Sequence, residues 1–135
     1  MAISNIYNTL GWTNFYQSSK LLKAGLDGET ADMYIPQEDN TPRIVETSLK
    51  EHHAYYPCWS LGRLIWLIPE NYRISLDINY QRFSVSNEFS LLKRRDIYSS
   101  VCVFHTDNNN LIDSVVEAII WLLENNNINK VKTNG

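Results

Sequence analysis

The chain has 135 residues, 44% of them hydrophobic, and its 12 basic against 15 acidic side chains leave a formal charge of -3. That length and apolar fraction supply one continuous core, hence one domain, and the acidic balance speaks against a broad phosphate-binding surface and so against a nucleic-acid partner. The first twenty residues carry Asn5, Asn8, Asn14 and Gln17 in place of an apolar leader, and the longest apolar stretch, Val115 to Leu123 around Glu117, is about half the roughly 20 residues of a membrane span, so a cytoplasmic protein without a membrane helix is expected.

In chain order, Asn14 and Gln17 have the spacing of a capping box, which starts a helix running to about Ala24. Gly25 is placed to end it in the left-handed conformation, with Leu26 packing back on Leu21. Phe15, Leu22 and Leu26 are expected on its buried side. After the Asp27-Gly28 turn, Thr30 to Ile35 reads as a brief extended piece at a sheet edge, stopped by Pro36. Gln37 to Ser48, polar around Pro42, reads as a surface loop.

Ser60 is a good N-cap, and Leu61, Leu64, Ile65 and Ile68 follow at the i, i+3, i+4, i+7 spacing of an amphipathic helix that Pro69 stops. Gly62 inside it suggests a close backbone neighbour. Ile74, Leu76 and Ile78 alternate with Arg73, Ser75, Asp77 and Asn79 as in a half-buried strand, and Phe83 and Val85 repeat the pattern after a turn at Asn79 to Arg82. Tyr98 to His105 supplies a third strand of the meander. Leu111 to Glu124 is helical and apolar almost all round, so it belongs at the centre or against a partner. The core thus spans about 14–124, with a polar tail at 125–135. The fold class is α+β, about three helices packed on a small three-stranded antiparallel sheet, with the Ser60 and Leu111 helices and the apolar sheet face forming the core.

Cys58 and Cys102 are read as free thiols, since a chain without a leader lives among reduced thiols. Cys58 stands just before a helix N-terminus, where the dipole favours thiolate, and the order Cys58, His105, Asn108 is that of papain-like enzymes. A small cysteine-dependent hydrolase, with His105 as base and Asn108 as its orienting group, is therefore the alternative reading. The Gly/Ser-rich turn such enzymes need is replaced by Tyr55, Tyr56 and Pro57, so packing is the preferred role for Cys58.

His52, His53, Cys58, Cys102 and His105 have metal-binding chemistry but no ligand spacing, and Cys102 and His105, three apart on a strand, should face opposite ways. No metal or cofactor is expected. Lys93-Arg94-Arg95 reads as a solvated loop flanked by Glu88 and Asp96, and Asp113 with Glu117 as a solvent-facing acidic stripe. The chain has no GxSxG, no HExxH and no glycine-rich phosphate loop. That leaves the aromatics Tyr55, Tyr56 and Trp59, with Ser60, as the candidate binding site of a protein-interaction module or self-associating chain.

Gln17-Ser18, Leu21-Leu22, Gly25-Leu26, Thr30-Ala31-Asp32-Met33, Pro57-Cys58-Trp59-Ser60-Leu61-Gly62 with Leu64 and Pro69, and Asp113 with Trp121-Leu122-Leu123 carry a resemblance. Over about residues 17–124 the chain resembles a family of small uncharacterised proteins borne by phages, conjugative elements and genomes of gut Bacteroidetes. The resemblance implies a context, an accessory or host-modulating factor of a mobile element, and no catalytic residue or cofactor is carried over from it.

Overall fold

The computed structural model describes residues 11–36, 41–45, 55–81 and 84–125, the side chains of 55, 80, 81 and 84–86 excepted. Asn14 opens helix α1 (Phe15–Ala24) through a complete capping box. Its Oδ1 accepts from Gln17 N–H at 2.8 Å while Gln17 Oε1 accepts from Asn14 N–H at 2.8 Å. Gly25 closes the helix at φ 110, with Leu26 N–H donating to Leu21 O at 3.0 Å and Leu26 buried. The buried side differs from the expected one at Phe15, while Leu26 is buried and Leu22 packs against the core as expected. Gln17, Ser18 and Leu21 face inward, whereas Phe15 is 59% exposed, because polar groups elsewhere in the fold claim Gln17 and Ser18.

A 3-10 turn (Gly28–Thr30) leads into strand β1 (Met33–Pro36). β1 is the middle strand of a sheet in the order β2-β1-β3, antiparallel to β2 (Arg43–Ile44) on one side and to β3 (Tyr55–Cys58) on the other. The expected edge position is thus corrected. Pro36 is tolerated because it sits at the strand's end, opposite Tyr55. Of the expected 37–48 loop, the described part includes β2, and 37–40 and 46–48 lie outside the described residues, as do His52, His53 and the tail beyond Asn125.

Ser60 caps α2 (Leu61–Leu67), its Oγ accepting from Arg63 N–H at 3.1 Å. Leu64, Leu67 and Ile68 are buried and Ile65 is exposed. Among the described residues no atom outside its own helix and chain neighbours lies within 4 Å of a Cβ added at Gly62, so none of them is the close neighbour expected there. The meander then forms a second sheet, β4-β5-β6, from β4 (Tyr72–Gln81), β5 (Ser84–Arg94) and β6 (Ser100–Asn108). The α+β class stands, with three α-helices among the described residues, but over two three-stranded antiparallel sheets in place of one.

Helix α3 (Leu111–Glu124) is the centre. Asn110 caps it, and Ile112, Val115, Val116, Ala118, Ile119, Leu122 and Leu123 are buried on more than one side. It touches α1, α2, β5 and β6, which is why its apolar stripe is wider than one packed face needs. Phe89 and Leu91 of β5 are buried on the sheet face that meets it.

Candidate functional site

The candidate residues lie at the junction of α1, the first sheet and the start of α2. Thr13 precedes α1 and runs antiparallel to Trp59, its N–H donating to Trp59 O at 2.9 Å. Thr13 Oγ1 accepts from Trp59 N–H at 3.0 Å and shares a hydrogen bond with Ser18 Oγ at 2.7 Å. Cys58 Sγ donates to Thr13 O at 3.0 Å. Cys58, Trp59, Thr13 and Ser18 are all fully buried. Each buried polar group therefore has a partner, as burial demands.

On the other side of Trp59 the indole Nε1–H donates to Thr30 Oγ1 at 2.9 Å, and Thr30 Oγ1 donates to Asp27 O at 2.6 Å. Asp32 grips Ser60 with both oxygens, accepting from its N–H at 2.9 Å and from its hydroxyl at 2.6 Å. Arg63 Nε–H donates to Thr30 O at 2.8 Å, and its guanidinium lies 4.6 Å from the centroid of the Trp66 ring. A Cβ added at Gly28 would meet Pro57 Cγ at 3.2 Å, so the 3-10 turn passes tightly under β3. The segment 57–60 is held from three directions and leaves Trp59 no surface to offer. Its aromatic mass belongs to the core, and Ser60 is occupied by Asp32 and the helix cap.

The thiol is shaped by the same enclosure. Burial pushes Cys58 from 9.0 up to about 11, the Asp32 charge adds to the rise, and the hydrogen bonds with Thr13 only partly offset it. A thiol held so high is neutral at physiological pH, and the helix dipole at Ser60 does not reverse that. His105 is on the exposed face of β6, its Nδ1 2.9 Å from Ser90 Oγ. Asn108 lies on the opposite face of β6, donating through Nδ2 to Ser114 Oγ at 3.1 Å and to Glu117 Oε2. Cys58 is thus in the core of the first sheet's junction, while His105 and Asn108 face away from each other on the second. The geometry does not assemble the three into a catalytic constellation.

No protein-family model, curated protein or solved structure matches this chain.

What remains accessible at the junction is aromatic. Tyr56 on β3 is half-buried, and the Phe15 ring stacks on it at 4.4 Å between centroids. Tyr16 beside it is 68% exposed, with Lys20 Nζ 5.3 Å from its ring. The Tyr55 side chain lies outside the described residues. Phe15 is expected on the buried side of α1 with Leu22 and Leu26, and no local signal marks it or Tyr16 as exposed.

Two further expectations change. Asp113 and Glu117 do not form a free acidic stripe: Asp113 Oδ1 accepts from Gln17 Nε2 at 2.6 Å, and Glu117 accepts from Thr106 Oγ1 at 3.2 Å as well as from Asn108. Cys102 and His105 share one sheet face, opposite Leu92 and Ser90, because a bulge skips Val103 and reverses the alternation. Among the described residues, no three His, Cys, Asp or Glu side chains converge as metal ligands. No helix among them is long and apolar enough to cross a membrane.

Proposed function

We propose that the protein is a non-enzymatic interaction module that docks another protein on the aromatic surface of Phe15, Tyr16 and Tyr56. The observation that carries this reading is the exposure of Phe15 and Tyr16, 59% and 68%, side by side on a helix whose first turn is rigidly capped. Large aromatics presented on a fixed scaffold lose little entropy on binding and supply the anchors of protein interfaces. Trp59 and Ser60 then serve as the support, holding β3 and hence Tyr56 in place through Thr30 and Asp32. The resemblance to small proteins of phages and conjugative elements supports an accessory role in a mobile element. A cytoplasmic setting fits that role.

The test compares proteins captured from host lysate by the wild-type chain and by a Phe15→Ser/Tyr16→Ser variant with an unchanged circular dichroism spectrum. A partner retained by the wild type and lost by the variant is expected. Identical captured sets, or none, refute the reading.

A further inference from the structure

The second sheet ends on a strand that is built to be continued. Among the described residues β4 pairs only with β5, and its outer edge is the longest open one, ten residues without a proline or a lysine. Natural edges of this length are normally blunted by proline, by charged side chains or by a bulge, and the two charges on β4, Arg73 and Asp77, are opposite in sign. The opposite edge, β6, carries a bulge. β2 and β3, the edges of the first sheet, have two and four residues.

The backbone direction along β4 follows from its first contacts. Arg94 N–H donates to Asn71 O, in line with the pairing of Tyr72 with Lys93, while Tyr72 N–H turns away to Pro69 O. Odd-numbered residues of β4 therefore aim their peptide groups at β5, and Ile74, Leu76, Ile78 and Tyr80 aim theirs outward. On the apolar face Leu76 and Ile78 stay 41% and 42% exposed, because α3 covers β5 and β6 and falls short of β4. On the polar face Asp77 stands opposite Glu88, and Glu88 opposite Asp107. The directly opposed carboxylates of Asp77 and Glu88 repel one another.

We propose that β4 pairs antiparallel with β4 of a second copy of this chain, joining the two meanders into one six-stranded sheet about a two-fold axis at Ser75. Outward peptide groups must meet outward ones, which leaves only registers that pair even residues with even and odd with odd. Charge chooses among them. With Ser75 on the axis, Arg73 stands opposite the partner's Asp77 and Asp77 opposite the partner's Arg73, while Ile74 pairs with the partner's Leu76 on the other face. Moving the axis to Leu76 sets Asp77 against serine, and moving it to Asp77 sets the two aspartates together. Only the Ser75 register gives each carboxylate pair a cation at its end. It also covers the exposed sides of Leu76 and Ile78. Arg73–Asp77 and Ser75–Ser75 then fall at non-hydrogen-bonded positions, where side chains approach most closely.

This interface is separate from the aromatic surface at α1, so the Phe15→Ser/Tyr16→Ser variant should self-associate like the wild type. Sedimentation velocity over a concentration series should show the wild-type chain as a dimer. Arg73→Asp and Asp77→Arg should each weaken association by at least about tenfold, corresponding to one like-charge pair at each end of the register, and the double variant should recover it. In a Cys102→Ser background, Ser75→Cys should form a disulfide-linked dimer on mild oxidation, since directly opposed non-hydrogen-bonded positions meet the required Cα spacing. Asn79→Cys, remote from the axis, should not. A wild-type monomer at every concentration, single charge variants that dimerise unchanged, or crosslinking at 79 in preference to 75 would each overturn the proposal.

Discussion

Raising the pH tests the enclosure of Cys58 directly. Below pH 9.0 the thiol is neutral in the folded and the unfolded chain, and its contribution to stability is complete. Above that value the unfolded thiol ionises, whereas the folded one, pushed up to about 11 by burial, does not. Stability therefore falls as pH rises from 9.0 toward about 11 and levels beyond. A shift of about two pH units at ~1.4 kcal/mol each gives a loss of about 3 kcal/mol across the window. Other groups titrate there too, so the quantity to measure is a difference. Urea unfolding of the wild type and of Cys58→Ala, in reductant at about pH 8 and about pH 10.5, should show the wild type losing about 2 kcal/mol more than the variant. Equal losses would mean a solvated thiol, and the burial argument against a nucleophilic Cys58 would fail with it. An alkylating reagent gives the same answer in another form, since exposed Cys102 should react in the folded chain long before Cys58.

The grip of Asp32 on Ser60 and two glycines, Gly25 at the end of α1 and Gly62 inside α2, make further tests. Asp32→Ala removes both hydrogen bonds to Ser60 and should cost about 2–4 kcal/mol in denaturant unfolding, since both are charge-assisted and the Ser60 N–H is left without its acceptor. Gly25→Ala forces a side chain into φ 110 and should destabilise by about 1 kcal/mol, whereas Gly62→Ala, exposed in α2 with nothing near its new methyl, should stabilise by about 0.5–1 kcal/mol. Opposite signs of the thermal shift separate the two glycines. A destabilised Gly62→Ala would restore the close neighbour that the sequence suggested.

Features encoded by residues near one another were legible in advance. The capping box of α1, its Gly25 terminus, the Ser60 cap and both ends of α3 depend on side chains a few residues apart, and each lies where its local signal places it. The meander is similarly local in its strand order, but its first strand runs on to Gln81, through Asn79 and Tyr80, which were expected to form the turn and instead pair with Ser86 and Val85. The first sheet is different: its strands are two or four residues long, too short for alternation to register, and β1 meets β3 in pairs far apart in the chain, from Met33 with Cys58 to Pro36 with Tyr55. Gln17 gave no sign that it would be buried, because its partner Asp113 lies 96 residues away. Trp59 looked like a surface anchor because an indole is large and polar at one edge, and only the Thr30 hydroxyl 29 residues earlier explains its burial. The bulge at Val103 reversed the facing of His105 relative to Cys102 without any proline or glycine to announce it.

Several short motifs of the sequence, Gln17-Ser18, Thr30 to Met33 and Pro57 to Gly62 among them, supply the contacts that bind α1, the first sheet, α2 and α3 into one joint. Gln17 reaches Asp113, Thr30 receives Trp59, Asp32 holds Ser60, Met33 pairs with Cys58, and Pro57 closes over Gly28. Each is a contact whose loss leaves a buried polar group unpaired or a tight packing broken, so the joint requires these residue types whatever the protein binds. Motifs of that kind identify a fold and carry no information about a ligand. The groups that could choose a partner, Phe15 and Tyr16 on α1 and Arg73 and Asp77 on β4, lie outside the motifs and are exposed. The contacts that hold the fold and the surfaces open to a partner are thus carried by different residues, so either set can change without the other.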